Sequence, residues 1–327
     1  MSAYFMGVDV GSTKTHALIA DETGRLMGFG ASGPGNHEVV GYEGLQQAIQ
    51  LAAAEALTAA ALHKDQISGA GFGVAGFDWP SEKANTIQAI DTLGFSGAVE
   101  AVNDTDLGLL AGSEEGWGIA VVSGTGTNCR GWDRTRQRRG MVTGAGLYMG
   151  EAAGASELVY MSVRALSHEW SRRGPATALA PALVKLTGAK NLDDLLEGLI
   201  NNRYQLSPSA APLIFEIAAQ GDRIAQELIH WAGFELGEQV KAVARQLSFE
   251  NLAFDVVMIG SMFNGGPMLI EPMQDNVRSL APQARFVRLA SPPVAGAVLL
   301  GMDICGMRTL EARQNLLDHL TKLKSPL

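Results

Sequence analysis

The sequence predicts an α/β protein that folds into two lobes, and three observations support this prediction. Apolar, strand-like runs alternate with Ala- and Leu-rich runs of helical character, which is typical of α/β folds. A chain of 327 residues is long for a single compact core. Both halves also open with a strand, a Gly- and Thr-rich turn and a second strand, which indicates a weak internal repeat.

The order of the elements follows from these runs. The first strands form a β-meander, because the gaps between them are too short for crossover helices. In the first half we expect strands at 4–10, 16–21, 25–30, 68–74 and 98–102, and helices at 42–62, 81–93 and 106–113. In the second half we expect strands at 118–123, 127–133, 139–142, 254–259 and 284–289, and helices through most of 151–250 and at 264–279, 294–301 and 309–323.

These elements divide the chain into the predicted lobes. The first lobe is expected at 1–113. The second is expected at 114–303 and carries a helical insertion. The C-terminal helix, at about 304–327, is expected to be able to pack back on the first lobe.

Composition argues against several functional classes. Hydrophobic residues make up 46% of the chain, charged residues 18%, and the net charge is −9. A nucleic-acid-binding protein normally presents a basic face, and the only basic cluster, 134–139 (RTRQRR), is interpreted as an exposed hairpin tip. No apolar run approaches the roughly 20 residues that span a bilayer, and no signal peptide is visible. Cys129 and Cys305 show neither disulfide nor metal spacing, so we expect a cytoplasmic protein with no nucleic-acid or membrane partner.

The first Gly/Thr-rich turn has the composition of a phosphate-binding turn. Gly11, Ser12 and Thr13 are small enough for backbone N–H groups to approach a phosphate, and Lys14 follows them. Asp9, just before the turn, is placed to hold Mg²⁺ through water. The spacing is not that of a Walker loop, and the turn leads into a strand rather than into the helix of a dinucleotide fingerprint. An ordinary hairpin turn with a buried Asp remains the alternative.

The second turn, 123–128 (SGTGTN), occupies the matching place in the second half and contains Thr125 and Gly126. Two such turns across a cleft are suited to hold the two ends of a polyphosphate. Between them, Asp104 follows a predicted strand, at the edge where ligands collect in open α/β sheets. We interpret Asp104 as a general base and Thr105 or Asp106 as the cap of the next helix.

A third glycine turn, 260–266 (GSMFNGG), follows a strongly apolar strand. Its glycines are suited to let a flat adenine lie close to the backbone. A strand-to-helix turn without a ligand is the alternative.

Taken together, these segments resemble the actin/Hsp70/sugar-kinase fold. More closely, they resemble the N-acetylglucosamine kinase branch of the BadF/BadG/BcrA/BcrD ATPase family. The resemblance covers about 4–301 and is strongest at GVDVGSTKT, GNH, VNDTD, SGTGTNCR and IGSMFNGG. It implies two actin-like (ribonuclease H-like) lobes around an ATP/sugar cleft, the cofactors ATP and Mg²⁺, and a homodimer. It also implies transfer of the γ-phosphoryl group of ATP to the 6-hydroxyl of an amino sugar.

The resemblance also implies roles for matching positions. The ATP-binding residues would be Gly11, Ser12, Thr13, Lys14, Thr125, Gly126, Gly260, Ser261 and Gly265. The sugar-binding residues would be Asn36, Asp104, Thr127, Asn128, Gly144, Ala145, Gly146 and Glu151, with Asp104 as the catalytic base. Two of these depart from the family: Glu151 stands where an Asp is usual, and Ala145 replaces a Trp.

These departures leave the acceptor open among N-acetylglucosamine, glucosamine, N-acetylmuramic acid and glucose. A second interpretation is an ATPase activator of a 2-hydroxyacyl-CoA dehydratase or benzoyl-CoA reductase type enzyme. Such relatives hold an iron–sulfur cluster in glycine-rich interface loops, where neither Cys129 nor Cys305 is expected. A third interpretation is a non-catalytic sensor, against which the intact Asp104 argues.

Overall fold

The computed structural model describes residues 2–322 and confirms the predicted α/β class. The first sheet has five strands: β1 (Tyr4–Val10), β2 (Thr15–Asp21), β3 (Leu26–Ser32), β4 (Ile67–Val74) and β5 (Ala98–Asn103). Their order is β3-β2-β1-β4-β5. β1 pairs antiparallel with β2 and parallel with β4, which pairs parallel with β5. The helices between these strands are α1 (His37–Ala60), α2 (Lys83–Asp91) and, after β5, α3 (Asp104–Gly112).

The second sheet also has five strands: β6 (Gly118–Ser123), β7 (Thr127–Trp132), β8 (Arg139–Met141), β9 (Asp255–Ile259) and β10 (Arg285–Arg288). Their order is β10-β9-β6-β7-β8. The remaining helices are α4 (Ala155–Trp170), α5 (Leu179–Thr187), α6 (Leu192–Ile200), α7 (Ala211–Ala219), α8 (Arg223–Leu247), α9 (Pro267–Arg278), α10 (Val294–Ile304) and α11 (Leu310–Lys322).

Most predicted elements are confirmed, and the differences lie at their ends. The helix predicted from 42 is preceded by a short turn at 37–40, which Asn36 caps; Gly41, with φ 70°, breaks α1 between this turn and the predicted helix. The helix predicted from 264 begins at Pro267, because Ser261–Gly265 forms a 3₁₀ turn first. The last predicted helix ends at Lys322 in the described chain, and position 323 lies outside it.

Contacts divide the chain into two compact units. The first comprises 1–120, 131–138 and 287–327, and the second comprises 121–130 and 139–286. Among the described residues, 2–322, no helix is long and apolar enough to cross a membrane.

The first unit is built around β1, whose side chains alternate between two buried faces. Met6, Val8 and Val10 belong to the hydrophobic cluster that includes α1. Phe5 belongs to the cluster formed by α10 and α11 on the other face. A Cβ at Gly7 would lie 2.3 Å from the backbone nitrogen of Val298, so α10 packs directly on the sheet backbone there.

The basic cluster lies in the turn between β7 and β8. Three of its four arginines form ion pairs within the first unit. The ion pairs join Arg134 to Glu115, Arg136 to Asp303 and Glu100, and Arg138 to Asp133. The turn is mostly exposed, as predicted, although the Arg136 side chain is only 21% exposed. These pairings leave little free positive charge for a polyanion at this turn.

Candidate active site

The carboxyl ends of β1, β4 and β5 meet at one edge of the first sheet. Val10 is in register with Val74, and Val74 with Asn103. This register brings Asp9 and Asp104 to the same edge, where the two carboxylates interact electrostatically. Ligands of open α/β sheets bind at this kind of edge.

The surroundings of Asp9 disfavour the ionised form of its carboxyl group. Burial raises its pKa from 3.8 to about 7, the negative charge of Asp104 adds to the increase, and Lys14 opposes it. A divalent cation at this edge would relieve the repulsion between the two carboxylates. The chemistry of these residues therefore fits Mg²⁺, a hard cation that prefers carboxylate oxygens and water.

Asp104 is the first residue of α3, and the cap is Asn103. The Asn103 Oδ1 accepts a hydrogen bond from the Thr105 N–H at 3.0 Å, and Asp104 Oδ1 accepts from the same N–H at 3.0 Å. The prediction of Thr105 or Asp106 as the cap is therefore wrong. The helix starts two positions earlier than predicted, because Asn103 at the strand end already supplies the capping oxygen.

The first turn follows Asp9 directly. The Gly11 N–H donates to the Lys14 carbonyl at 2.9 Å, which closes the turn. Ser12, Thr13 and Lys14 are exposed. Asn36, which is 7% exposed, donates from its amide to Ser12 Oγ at 3.1 Å and caps α1 by accepting from the Glu38 N–H. The structure thus brings Asp9, this turn, Asn36 and Asp104 together within the first unit.

The second turn holds the start of α4 in the second unit. The Ala155 and Ser156 N–H groups donate to the carbonyls of Gly124 and Thr125, at 2.9 and 3.0 Å. Ser123 anchors the turn by donating to the Ala153 carbonyl at 2.6 Å. Thr125 and Gly126, at the tip of the turn, are exposed. The turn is therefore held by hydrogen bonds to the segment 153–156, while its tip remains accessible to a ligand.

The third turn lies against the second. Gly260 has φ 106°, and a Cβ there would lie 2.2 Å from the Ser123 carbonyl oxygen. Only glycine therefore allows this approach. Both turns line one cavity of about 560 Å³, together with residues from the start of α7 and the segment before it. The lining includes Gly124, Thr125, Pro208, Pro212, Phe215, Ser261, Met262 and Gly265. Its apolar walls and few polar groups are typical of small-molecule sites.

The predicted sugar-binding residues of the second unit lie on β7 and on the loop after β8. Thr127 is buried, and its hydroxyl accepts from the Gln239 amide at 3.4 Å. Within the described residues, Asn128 Oδ1 is buried without a hydrogen-bond partner. The Glu151 carboxylate accepts from the Thr143 N–H at 2.7 Å and the Thr143 hydroxyl at 2.8 Å. The loop holds Gly144 and Gly146 in left-handed conformations, with Ala145 between them at φ −86°.

The sequence pattern of the BadF/BadG/BcrA/BcrD ATPase family matches residues 6–301. The chain belongs to this family. The resemblance drawn from the five short motifs is thereby confirmed over nearly the same range.

Relatives of this BadF/BadG/BcrA/BcrD-family chain are named as kinases. The N-acetylmuramic acid/N-acetylglucosamine kinase of Clostridium acetobutylicum is 24% identical over 305 residues, covering 92% of this chain and 99% of that one. The N-acetyl-D-glucosamine kinase of Dictyostelium discoideum is 23% identical over 313 residues, covering 91% and 98%.

Solved structures share the fold of this family member. A provisionally named N-acetylglucosamine kinase from Chromobacterium violaceum gives a TM-score of 0.65 at 20% identity, covering 91% of this chain and 98% of that one. A ROK-family glucokinase from Streptomyces griseus, solved with glucose and AMPPNP, gives 0.53 at 18% identity, covering 98% and 100%. The predicted actin-like fold of the sugar kinases is confirmed.

Sequence reasoning missed several supporting residues of this family member. Gln239 is buried in α8 and also donates to the Ala152 carbonyl at 2.9 Å. A polar residue between apolar Leu236 and Val240 of a buried helix face was a signal for it. Thr143, which holds Glu151, and the segment 208–216 at the cavity carried no comparable local signal.

Proposed function

We propose that this protein is an ATP-dependent sugar kinase that phosphorylates the 6-hydroxyl of an amino sugar, with N-acetylglucosamine as the acceptor. The observation that carries the proposal is the meeting of Asp9 and Asp104 at the carboxyl edge of the first sheet. Family membership and two nearly full-length relatives named as kinases of N-acetylglucosamine support it.

Asp104 acts as the general base in this proposal. Phosphoryl transfer needs little covalent help from a protein, so positioning and charge stabilisation dominate. Asp104 accepts the proton of the attacking sugar hydroxyl, while Asn36 binds and orients the sugar. Asp9 would hold Mg²⁺, which when bound would supply positive charge to offset that of the phosphate oxygens.

ATP binding involves the three turns. The Ser12 and Thr13 hydroxyls and Lys14 contact the phosphates on the first unit. On the second unit, Thr125 and Gly126 contact the phosphates. The cavity beside them receives adenosine next to Gly260, Ser261 and Gly265. Apolar Phe215, Met262 and Pro212 supply the flat, dry walls that a purine ring requires.

The acceptor is the finer part of the proposal. Thr127, Asn128 and Glu151 bind sugar hydroxyls. Asn128 Oδ1 is buried and has no hydrogen-bond partner among the described residues, which supports a hydrogen bond to a ligand there. Glucosamine and N-acetylmuramic acid are the alternatives, because Ala145 and Glu151 depart from the family's usual residues.

The positions of the two cysteines argue against the second interpretation, an ATPase activator with a shared iron–sulfur cluster. Cys129 is fully buried in β7, and burial together with the charge of Glu151 raises the pKa of its thiol strongly. Cys305 donates its thiol to the Ser68 carbonyl at 3.3 Å. Neither thiol is placed as a ready thiolate ligand for a shared cluster.

A coupled ADP-release screen over glucose, glucosamine, N-acetylglucosamine, N-acetylmannosamine and N-acetylmuramic acid tests the proposal. We expect the highest kcat/KM with N-acetylglucosamine. ADP release that no sugar increases would overturn the kinase assignment. A higher kcat/KM for another sugar would overturn only the acceptor.

A further inference from the structure

The loop that joins β4 to α2 lies beside the acceptor residues of the first unit. We define the β4–α2 loop as residues 75–82 (AGFDWPSE). It begins where the Ala75 N–H donates to the Val10 carbonyl at 2.9 Å, so it leaves the sheet next to the turn that follows β1. It ends at Glu82, immediately before α2. None of its residues belongs to the site described above.

One end of this loop presses on Asn36. Gly76 has φ 81°, and a Cβ at this position would lie 2.5 Å from the Asn36 Oδ1. The loop backbone is therefore packed against the amide that donates to Ser12 and caps α1. Any side chain at position 76 would have to displace Asn36.

The middle of the loop holds the cap of α3. Asp78 Oδ1 accepts from the Asn103 Nδ2 at 3.0 Å, and the Phe77 carbonyl accepts from the same group at 3.3 Å. Asn103 is 2% exposed, and its Oδ1 accepts from the Thr105 N–H. Because Nδ2 faces two acceptors and Oδ1 faces a donor, the orientation of this amide is determined by its partners. Asp78 thereby fixes the first turn of α3, where Asp104 is the first residue.

Glu82 stiffens the loop. Its Oε2 accepts from the Asp78 N–H at 2.8 Å and from the Trp79 N–H at 2.7 Å. Its Oε1 lies 3.8 Å from the His37 Nε2, and His37 directly follows Asn36. A chain of contacts therefore runs from the start of α1, through Glu82 and Asp78, to the start of α3.

We propose that the β4–α2 loop is the positioning element of the acceptor site. It sets the spacing between Asn36 and Asp104, with Gly76 placing the first and Asp78 orienting the second through Asn103. This inference rests on the proposed function, in which both residues must contact one sugar. Asp78 is a positioning residue, because it acts on Asp104 through Asn103. Its effect should be large, since small misplacement of reacting groups reduces rates steeply.

Two substitutions of Asp78 separate positioning from charge. Asp78→Ala removes the acceptor for Asn103, so we expect kcat for sugar phosphorylation to fall roughly 10- to 100-fold, with the KM for ATP within about twofold of wild type. Hydrogen exchange of the Thr105 amide should become faster, because Asn103 Oδ1, one of its two acceptors, is no longer held in place. Asp78→Asn keeps an acceptor oxygen and should retain most of the rate and the protection.

Asp21→Ala is the matched control. The Asp21 carboxylate holds the β2–β3 turn in the same unit by accepting from the Thr23 and Arg25 N–H groups. We expect this variant to lose stability without a change in kcat or in Thr105 exchange. A fall in kcat as large as that of Asp78→Ala would mean that general destabilisation explains the effect, and it would overturn the positioning role.

Gly76→Ala tests the other end of the loop. We expect it to raise the KM for the sugar about tenfold or more, because Asn36 must move, with the KM for ATP unchanged. Gly188→Ala is its control, since Gly188 also has a left-handed φ, of 73°, but has open space around it. Equal effects of the two variants on the KM for the sugar would overturn the role of Gly76.

Three further outcomes decide the proposal. If Asp78→Asn is as damaging as Asp78→Ala, the charge itself is required and the positioning role is overturned. If Asp78→Ala leaves Thr105 exchange at the wild-type rate, Asp78 does not act on α3 through Asn103, and the proposal is overturned whatever the activity. If the wild type phosphorylates no sugar while Asp78→Ala still speeds Thr105 exchange, the proposed function is overturned, but the effect of Asp78 on α3 through Asn103 is supported.

Discussion

Thr143 holds both carboxylate oxygens of Glu151, through its backbone N–H at 2.7 Å and its hydroxyl at 2.8 Å. The resemblance to N-acetylglucosamine kinases implies that Glu151 stands where an Asp, one methylene shorter, is usual. The longer side chain is thus ordered by a local partner. Its carboxylate keeps further lone pairs for a sugar hydroxyl.

Thr143→Val tests this arrangement. Loss of a hydroxyl bond to a charged group should raise the KM for the sugar about 10-fold, with the KM for ATP unchanged. Steady-state kinetics measures both. Thr187→Val, which removes a hydroxyl bond to the Leu183 carbonyl at the end of α5, is the control. An unchanged KM for the sugar would show that Glu151 does not contact the acceptor.

Asp104→Asn should lower kcat by roughly 10²- to 10⁴-fold, because the general base is lost. Binding of ATP, measured by calorimetry, should stay within about twofold of wild type. Asp91→Asn, at the exposed end of α2, is the control and should retain full activity. Near-wild-type turnover of Asp104→Asn would remove this residue from the chemistry.

Asp9→Asn should stabilise the ligand-free protein at high pH. The pKa of Asp9 is raised from 3.8 to about 7, so the folded protein binds this proton more tightly than the unfolded chain. The folded state therefore loses stability as the pH rises from about 4 to about 7, and the loss is complete above that.

The variant should thus match wild type near pH 4 and exceed it at pH 8 by up to roughly 4 kcal/mol. Urea unfolding at the two pH values in the presence of a chelator measures the difference. The same pKa predicts that the affinity for Mg²⁺ falls as the pH drops below about 7, because the proton and the cation compete for Asp9. If the free energies of unfolding of Asp9→Asn and wild type differ by the same amount at both pH values, the raised pKa of Asp9 is contradicted.

Gly260→Ala should destabilise the second unit far more than Gly266→Ala. Both glycines have a left-handed φ, 106° and 71°, so both substitutions introduce backbone strain of about 1 kcal/mol or more. Gly260 alone of the two lies against the Ser123 carbonyl, at 2.2 Å from its would-be Cβ, whereas Gly266 has open space. Thermal unfolding of the two variants compares them. Equal losses would show that the close approach to Ser123 is not tight.

Thr125→Val should weaken ATP binding by about 3- to 10-fold, which corresponds to one lost hydrogen bond. Thr125 is exposed, and the turn is held by its backbone carbonyls, so the fold should not change. Titration with ATP and with AMP separates the phosphate contact from the adenosine contact. If the affinities for ATP and AMP fall equally, Thr125 does not contact the β- or γ-phosphate.

Much of the fold followed from local patterns. The strand Tyr4–Val10 has the bounds that its sequence predicts, because a short, nearly continuous apolar run that ends at a Gly-rich turn is typical of a strand buried on both faces. The helix starts were less predictable. Asn103 at the end of β5 and Thr105 and Asp106 in α3 are all good capping residues, and only the course of the chain after β5 selected Asn103.

The sequence by itself determined the α/β class, the three glycine turns and the candidate base at Asp104, since strand periodicity and small-residue turns are local properties. The tertiary structure decided which of these groups meet. Parallel register set Asp9 beside Asp104, and the chain fold placed Phe215 and Pro212 at the cavity of Thr125. It also linked Asp78 to Asn103, 25 residues away. Contacts between residues far apart in sequence depend on how the elements pack, and the local sequence around each residue does not reveal that packing.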